Sequence, residues 1–431
     1  MQKPYFSAEY YQISHEALDA ALDTVPAYRP WRACDPGRHV PADERYAALP
    51  LLTKQDMRDH FPQGLVPGNR NVTAGLELGE IEYVQTNGTT SEKVTNLWNQ
   101  SWWNASEAAS WKLNAHTAHL DHSCREAQLA SALSVGVLSR SDLPMQSRLL
   151  NGRLLFLNEK ATALEWTDVH YARMAAELGQ FKPEILEANP SLLARLCWWA
   201  LDNRISLYSP RVILITYELP SAMHLQCIRR ALRAPVVSSY GTTEAGYIFM
   251  QCEQGTFHQN TGFCRVDFMP LQDLHGGPAL GRIAVTPFHN PWTALIRFDV
   301  GDLVRRGNAA CPCGRREGWH LTAVEGRAAD CTLSLTGRLV TTARVDDALS
   351  AVGGLRDYEL VQQTPERYCL RIVAEGRTRA QIDACRQALQ SVYGRAAGIE
   401  IDFCDDIEPA VSGKYRRTHA RFPLDPEGLW T

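Results

Sequence analysis

The chain has 431 residues, enough for more than one domain, and its 45% hydrophobic and 21% charged content exclude a disordered or fibrous protein. Lysines and arginines number 44 against 48 acids, a net charge of −4, and no segment reads as a basic stripe, which disfavours nucleic acid as a partner. No apolar run approaches the roughly 20 residues of a membrane span. Twelve cysteines are too sparse for a disulfide scaffold, and no apolar stretch follows Met1, so a cytoplasmic protein with reduced thiols or a metal site is expected.

Helical spacing of apolar residues runs from His15 to Leu22 and is stopped by Pro26. Leu49-Pro50-Leu51-Leu52-Thr53-Lys54-Gln55-Asp56 predicts a turn and then a helix capped by Thr53. The β-branched run Ile81 to Thr86 predicts a strand entering a hydroxyl-rich loop, with helices following at Asn104 to Leu113 and Thr167 to Leu178. Val212 to Thr216 is continuously apolar, the pattern of a buried parallel strand. A helix from Met223 to Leu232 and a strand from Pro235 to Tyr240 complete a βαβ unit. Beyond Gly281, short β-like runs (Arg282 to Thr286, Ala294 to Phe298) between turn residues suit an antiparallel sheet or barrel. From Gly326, strands at Asp357 to Gln363, Arg367 to Ala374 and Gly398 to Phe403, with a helix from Thr378 to Val392, predict a small α+β domain. The expected architecture is therefore α/β: a large domain over 1–325 with a β-barrel-like subdomain, and a small mobile domain over 326–431.

Three loops carry the types of residue that polyphosphate chemistry needs. Thr86-Asn87-Gly88-Thr89-Thr90-Ser91-Glu92-Lys93 offers a close-approach glycine, four hydroxyls and one cation, but lacks the ending of a Walker loop. Ser238-Ser239-Tyr240-Gly241-Thr242-Thr243-Glu244 lies at the carboxyl end of an expected strand, where open α/β sheets bind ligands. There a tyrosine ring can stack on a base, and Glu244 is a hard oxygen ligand for Mg²⁺. In Arg297-Phe298-Asp299-Val300-Gly301-Asp302, Asp302 can accept both hydroxyls of a ribose, while Asp299 suits a local turn or ion pair. Each loop alone is equally compatible with an ordinary polar turn.

Cys252-x₅-His258 and Cys311-Pro312-Cys313 together supply three thiolates and one imidazole, the donor set of a closed structural Zn²⁺ site. Chance clustering of buried cysteines is the competing explanation, and Cys264 and His275 are spare donors.

The three loops, in this order, resemble the adenylate-forming superfamily and, more narrowly, its phenylacetate–CoA ligase family. Leu49 to Asp56, Glu218-Leu219-Pro220, Gly326-Arg327-Ala328-Ala329-Asp330 and Gly413-Lys414-Tyr415-Arg416-Arg417 are similar to further motifs of that family. The match is weakest over about residues 95–185. The resemblance implies a ligase that uses ATP and Mg²⁺ to turn a carboxylic acid, aromatic or otherwise small, into its acyl-adenylate. Thr86, Gly88, Thr89, Thr90 and Lys93 would hold the phosphates, and Ser239, Tyr240, Gly241, Thr242 and Thr243 the adenosine. Glu218, Asp302 and Arg327 would complete the nucleotide site, with Glu244 on Mg²⁺ and Asp330 as the hinge. Lys414 would bridge the incoming carboxylate and the phosphoryl oxygens, a charge contact worth on the order of 10²–10³ in rate.

The implied acceptor is CoA, with a carrier-protein thiol or an amine as the alternative, and a homodimer is compatible. A zinc-stapled binding protein without chemistry is the alternative of another class. Three departures bear on substrate and acceptor. Ser91-Glu92 replaces a usual glycine, Leu339-Val340-Thr341-Thr342 departs near the family's CoA contacts, and the expected acyl-pocket segment is rich in tryptophan (Trp98, Trp102, Trp103, Trp111).

Overall fold

The computed structural model describes residues 4–86, 94–410 and 413–424. The chain divides into two compact units, one of Met1–His122, Ser239–Pro270 and Gly281–Ala323, the other of Ser123–Ser238, Leu271–Leu280 and Val324–Thr431. The architecture is mixed α/β, as the sequence pattern predicts.

In the first unit, the opening helix spans Ala8–Thr24 and starts where Ser7 accepts from the Tyr10 N–H. It begins well before His15 because this cap, and not apolar spacing, sets its start. Thr53 caps the helix Lys54–His60, as expected, and Asp56 completes a reciprocal capping box with it. The strand Glu82–Gln85 pairs antiparallel with a strand not anticipated from sequence, Thr95–Trp98, and the two form a sheet of their own. Asn99 then caps the helix Gln100–Trp111 by accepting from the Trp102 N–H at 2.8 Å, so this helix also starts earlier than expected.

Antiparallel pairing dominates the rest of the unit. Residues 239–242 pair with Gly246–Gln251, which pairs with Phe257–Gln259, and that strand pairs with the start of His320–Arg327. Phe298–Arg306, Leu280–Pro287 and Cys264–Pro270 follow in order. The expected strand at Ala294 to Phe298 is a correction: the strand begins at Phe298. The Ala294 N–H donates to the Leu65 carbonyl and the Ile296 N–H to the Tyr28 hydroxyl. Arg297 has a positive φ of 51°. The backbone is therefore satisfied by loops and turned out of the ladder.

The second unit carries parallel strands. Its order is Leu149–Leu150, Leu154–Phe156, Glu126–Leu129, Ile185–Ala188, Val212–Ile215 and residues 236–238, with only the first of these antiparallel to its neighbour. All four residues of Val212–Ile215 are buried, which is why they read as an unbroken apolar run. Helices Asp168–Phe181, Pro190–Asp202 and Ala222–Ala231 cover the sheet through a core that includes Leu178, Leu193, Leu196 and Ile228.

A second sheet in this unit is ordered Gly398–Phe403, Arg367–Ala374, Leu355–Thr364 and Thr418–Ala420. Three of its strands match expectation. The fourth, three residues long and parallel to Leu355–Thr364, carries too little pattern to be read from sequence. No helix among the described residues is long and apolar enough to cross a membrane.

One backbone position fixes the hairpin that ends at Gly246. Its φ is +72°, and a Cβ there would lie 2.8 Å from Ser106 Oγ and 2.9 Å from the Trp102 ring. Gly246→Ala should therefore destabilise the protein by about 1–3 kcal/mol, measured as a lower urea midpoint. An unchanged midpoint would mean that the hairpin relaxes freely.

Candidate functional site

In the first unit, Tyr240, Asp302, Ser239 and Glu244 gather around the end of the strand Val236–Thr242. The Tyr240 hydroxyl donates to Asp302 Oδ2 at 2.8 Å, which joins the second and third sequence loops directly. Gly241 leaves no room for a side chain, since a Cβ would sit 2.4 Å from the Gly246 carbonyl oxygen. Thr242 Oγ1 accepts from the Ala245 N–H at 3.1 Å and rounds off the hairpin, with Thr243 half-buried at its tip. Ser239 Oγ is buried without a hydrogen-bond partner among the described residues. Glu244 is also buried, and no hydrogen bond or ion pair engages it among the described residues. Asp299 behaves as a local residue, accepting from the Gly301 N–H at 3.0 Å and pairing with Arg282 at 3.0 Å.

Thr86 closes the base of the hydroxyl-rich loop. Its N–H donates to the Val94 carbonyl at 2.9 Å, and its hydroxyl accepts from the Val94 N–H at 3.2 Å. Gly88, Thr89, Thr90 and Lys93 lie outside the described residues. Of the tryptophans, Trp102 and Trp111 are buried, and Trp102 donates its indole N–H to the Phe288 carbonyl. Trp98 and Trp103 are instead half-buried, and Trp103 makes tilted ring contacts with Trp98 and with the buried Tyr247, at centroid distances of 4.3 and 5.0 Å.

The four expected metal donors converge within the same unit. Cys252 follows one strand, His258 sits on the next, and Cys311 and Cys313 lie in the turn after Phe298–Arg306. Cys252 Sγ and Cys311 Sγ are 3.6 Å apart, and Cys313 Sγ is 3.2 Å from His258 Nε2. All four donor atoms fall within 4.8 Å of one another. Tetrahedral zinc with Zn–S of about 2.3 Å separates its sulfurs by about 3.7 Å, so this donor set fits the ion. Burial, with the nearby His320 and Arg315, lowers the His258 pKa to about 4, leaving an uncharged ring able to coordinate. The spare donors are elsewhere: Cys264 Sγ faces the Ile248 and Asn260 carbonyls, and His275 belongs to the second unit, accepting from the Leu339 N–H. All twelve cysteines are free of disulfides.

In the second unit, the segment carrying Lys414 is packed onto the carboxyl ends of the parallel strands. Gly413 has φ +78°, and a Cβ there would meet Ser131 Oγ, just beyond Glu126–Leu129, at 2.5 Å. The Lys414 carbonyl accepts from the Ala410 N–H at 2.8 Å. Glu218 reaches this segment from the turn after Val212–Ile215, accepting from the Tyr415 N–H at 3.1 Å and from the Ser191 hydroxyl. Arg327 precedes the short 3₁₀ turn that contains Asp330. The Asp330 carboxylate receives Arg416 Nε at 2.5 Å, and its carbonyl receives the Thr418 hydroxyl at 2.6 Å. The structure thus brings Glu218, Asp330 and the Lys414 segment into one hydrogen-bonded set. Thr86, Ser239 to Glu244 and Asp302 belong to the other unit.

Sequence reasoning missed Arg417, Ser191, Ser131 and Asp357 as parts of this set, because Arg417 reads as one more basic residue of a tail. Burial alone would raise the Asp357 carboxyl, but His224, Arg417 and Arg195 together hold it down at about 2. A folded value below the unfolded one of about 3.9 means that the carboxylate stabilises the fold above that unfolded value. The contribution is lost as pH falls from about 4 towards 2.

The fold that carries these sites is shared with adenylate-forming ligases. It superposes on 2-hydroxyisobutyryl-CoA ligase in complex with its acyl-AMP with a TM-score of 0.71 and 17% identity, covering 99% of this chain and 91% of that one. The anthranilate CoA ligase AuaEII with anthranoyl-AMP gives a TM-score of 0.54 at 14% identity, over 78% of this chain and 65% of that one. The amide bond synthetase McbA from Marinactinospora thermotolerans gives 0.52 at 15%, over 83% and 70%. In sequence, the chain is 22% identical to protein CapK of Staphylococcus aureus over 244 residues, 56% of this chain. That match spans about half of the curated relative, 53% of its length. No family model matches the chain.

Two measurements test this geometry. Cys311→Ser should lower zinc content and Tm together, and equal zinc in both proteins would remove Cys311 from the donor set. Urea midpoints should fall between about pH 4 and pH 2 in the wild type and fall less in Asp357→Asn, while parallel curves would exclude Asp357 as the titrating group.

Proposed function

We propose that this protein uses ATP and Mg²⁺ to activate a small carboxylic acid as its acyl-adenylate and then passes the acyl group to an acceptor. The observation that carries this reading is Glu244, a buried carboxylate with no partner among the described residues. A carboxylate that pairs with no cation among the described residues offers a hard oxygen donor to a cation that arrives with the substrate. Mg²⁺ bound to nucleotide phosphates is the hard cation that suits it. Tyr240 and Asp302, a hydroxyl hydrogen-bonded to a carboxylate, suit an adenine face and a ribose edge. Ser239, whose hydroxyl has no hydrogen-bond partner among the described residues, suits a further polar contact of the nucleotide.

In the reaction, a carboxylate oxygen attacks the α-phosphorus, forming the acyl–phosphate bond as pyrophosphate leaves with the electron pair of the broken P–O bond. Lys414 is assigned to the charge that gathers on the carboxylate and phosphoryl oxygens. Nucleotide contacts are likewise assigned to the phosphate loop from Thr86 to Lys93, including Gly88, Thr89 and Thr90, to Gly241, Thr242 and Thr243, and to Glu218 and Arg327. Residues 326–431 are assigned to a small domain that turns about Asp330 between the two half-reactions. The four-donor cluster is assigned to structural zinc, since its three thiolates and one imidazole leave no protein position open for chemistry.

CoA is the proposed acceptor. An amine is the second reading, favoured by the stretch Leu339 to Thr342. There the Thr341 hydroxyl donates to Glu325 at 2.5 Å and the Thr342 hydroxyl pairs with Thr418 at 2.6 Å, so both are committed within the fold. The aromatic cluster of Trp98, Trp103 and Tyr247 favours an aromatic acid.

Pyrophosphate exchange across a panel of aryl, acyl and hydroxy acids tests the first half-reaction, and silence with every acid would favour a non-catalytic zinc-stapled binder. Mass spectrometry of the products separates acyl-CoA from amide. Lys414→Ala should lower exchange on the order of 10²–10³-fold yet spare conversion of supplied acyl-adenylate. Equal loss of both activities would exclude Lys414 from a role confined to acid activation.

A further inference from the structure

The segment that carries Lys414 is held by an arginine that the proposed chemistry does not use. Arg417 is 4% exposed, and both terminal nitrogens of its guanidinium meet polar groups, while Nε makes no hydrogen bond among the described residues. Nη1 donates to the Leu219 carbonyl at 2.9 Å, and Nη2 donates to Ser191 Oγ at 2.8 Å and lies 3.1 Å from His224 Nδ1. Glu218 Oε1 is 3.8 Å away and Asp357 Oδ1 is 3.7 Å away. Leu219, Ser191, His224 and Glu218 belong to the parallel-sheet part of the unit, while Asp357 lies on the strand Leu355–Thr364. Arg417 therefore joins the two sheets of this unit only three positions beyond Lys414.

Its neighbours reinforce the same attachment. Glu218 bonds the backbone of Tyr415, and Arg195 lies over the Tyr415 ring at 5.2 Å while pairing with Asp406. Lys414 is thus bracketed by Gly413 packed on Ser131 and by Tyr415 and Arg417 tied to the 218–219 turn. Such an attachment specifies a geometry while remaining able to open, because desolvation offsets much of the attraction in a buried ion pair. Lysine cannot replace it, having one compact charge where the planar fork serves carbonyl, hydroxyl, imidazole and carboxylate together.

We propose that Arg417 is a positioning residue, a latch that holds the Lys414 segment against the 218–219 turn for acid activation and releases it for acyl transfer. The proposal rests on the adenylation reading above. It predicts that the two half-reactions respond differently to loss of the latch, since only the first needs Lys414 in place.

Arg417→Met and Arg417→Lys test it in the full chain. Arg417→Met should lower kcat for pyrophosphate exchange by about 100-fold, the usual consequence of misplacing a reacting group by about 1 Å. KM for ATP and the conversion of supplied acyl-adenylate should stay near wild type, and Arg417→Lys should recover only part of the loss. Equal loss in both half-reactions, or full recovery by lysine, would overturn the latch. Limited trypsin digestion reads the same attachment without any activity. Faster cleavage after Lys414 and Arg416 in Arg417→Met, with the rest of the chain intact, supports the latch even where no acid gives exchange, whereas unchanged cleavage rates count against it. Exchange silent in the wild type would refute the adenylation reading and leave the digestion to decide the attachment. Glu218→Gln guards against a folding failure in Arg417→Met: it retains an acceptor for the Tyr415 N–H while removing one charge at the latch, and it should likewise speed tryptic cleavage after Lys414 and Arg416, unchanged cleavage counting against the latch.

Discussion

A guanidinium removed from water must find acceptors for its N–H groups, and in this protein Arg417 finds them in the Leu219 carbonyl and the Ser191 hydroxyl, while its charge faces Asp357 of the other sheet. That requirement organises much of the second unit. The turn after Val212–Ile215 must present the Leu219 carbonyl, the helix Pro190–Asp202 must start with a hydroxyl at Ser191, and Leu355–Thr364 must begin with a carboxylate at Asp357. None of these groups is needed for the sheet cores themselves, which are apolar. Their polarity makes sense as the lining of one buried cation, and the placement of Gly413 to Thr418 follows from it.

The first unit is governed by a different constraint, close approach of backbone. At Gly241 and Gly246 the hairpin is so tight that a methyl group on either would strike a carbonyl oxygen, a hydroxyl or an indole ring. This compression presents Tyr240, Thr242, Thr243 and Glu244 from a rigid turn. The antiparallel ladder beyond it brings Cys252, His258, Cys311 and Cys313 together. Four donors held this closely are costly to leave unmatched, and a bound ion would tie the turn at residue 311 to the two strands that precede it.

How legible all this is from sequence depends on the range of the interaction involved. Val212 to Ile215 and the strands of residues 355–403 announce themselves because burial on one or two faces writes a periodicity into neighbouring residues. Thr53 is equally legible, since a capping box is a contact across three residues. The cysteine and histidine cluster is readable for another reason: its residue types are rare enough to suggest a common purpose at any separation. The misplaced strand near Ala294 shows the limit. Its apolar run resembles a ladder, but hydrogen bonds from Leu65 and Tyr28, more than two hundred residues away, decide its conformation. Arg417 fails in the same way, because what distinguishes it from Arg416 or Arg421 is burial among partners up to 226 positions distant.

The polar character of these attachments bears on the motion proposed for residues 326–431. Their apolar cluster is nearly self-contained, running from Val340 to Ile399 with Met223 as the one fully buried member from outside. Attachment to the parallel-sheet part is largely by polar groups. Asp346 accepts from the Ser221 hydroxyl and the Ala222 N–H, both at 2.6 Å, capping a helix on the other side. Arg356 pairs with Asp202 at 2.7 Å, Arg195 with Asp406, and Arg417 with the groups described above. Separating surfaces of this kind exchanges protein partners for water, a nearly balanced trade, whereas separating an apolar core would expose it at about 25 cal/mol per Å². Ile407 and Tyr415, which enter the core of the parallel sheet, are the apolar part of the attachment that such a motion would have to release. They flank the Lys414 segment on both sides, so the apolar part of this attachment lies next to the lysine to which acid activation is assigned above.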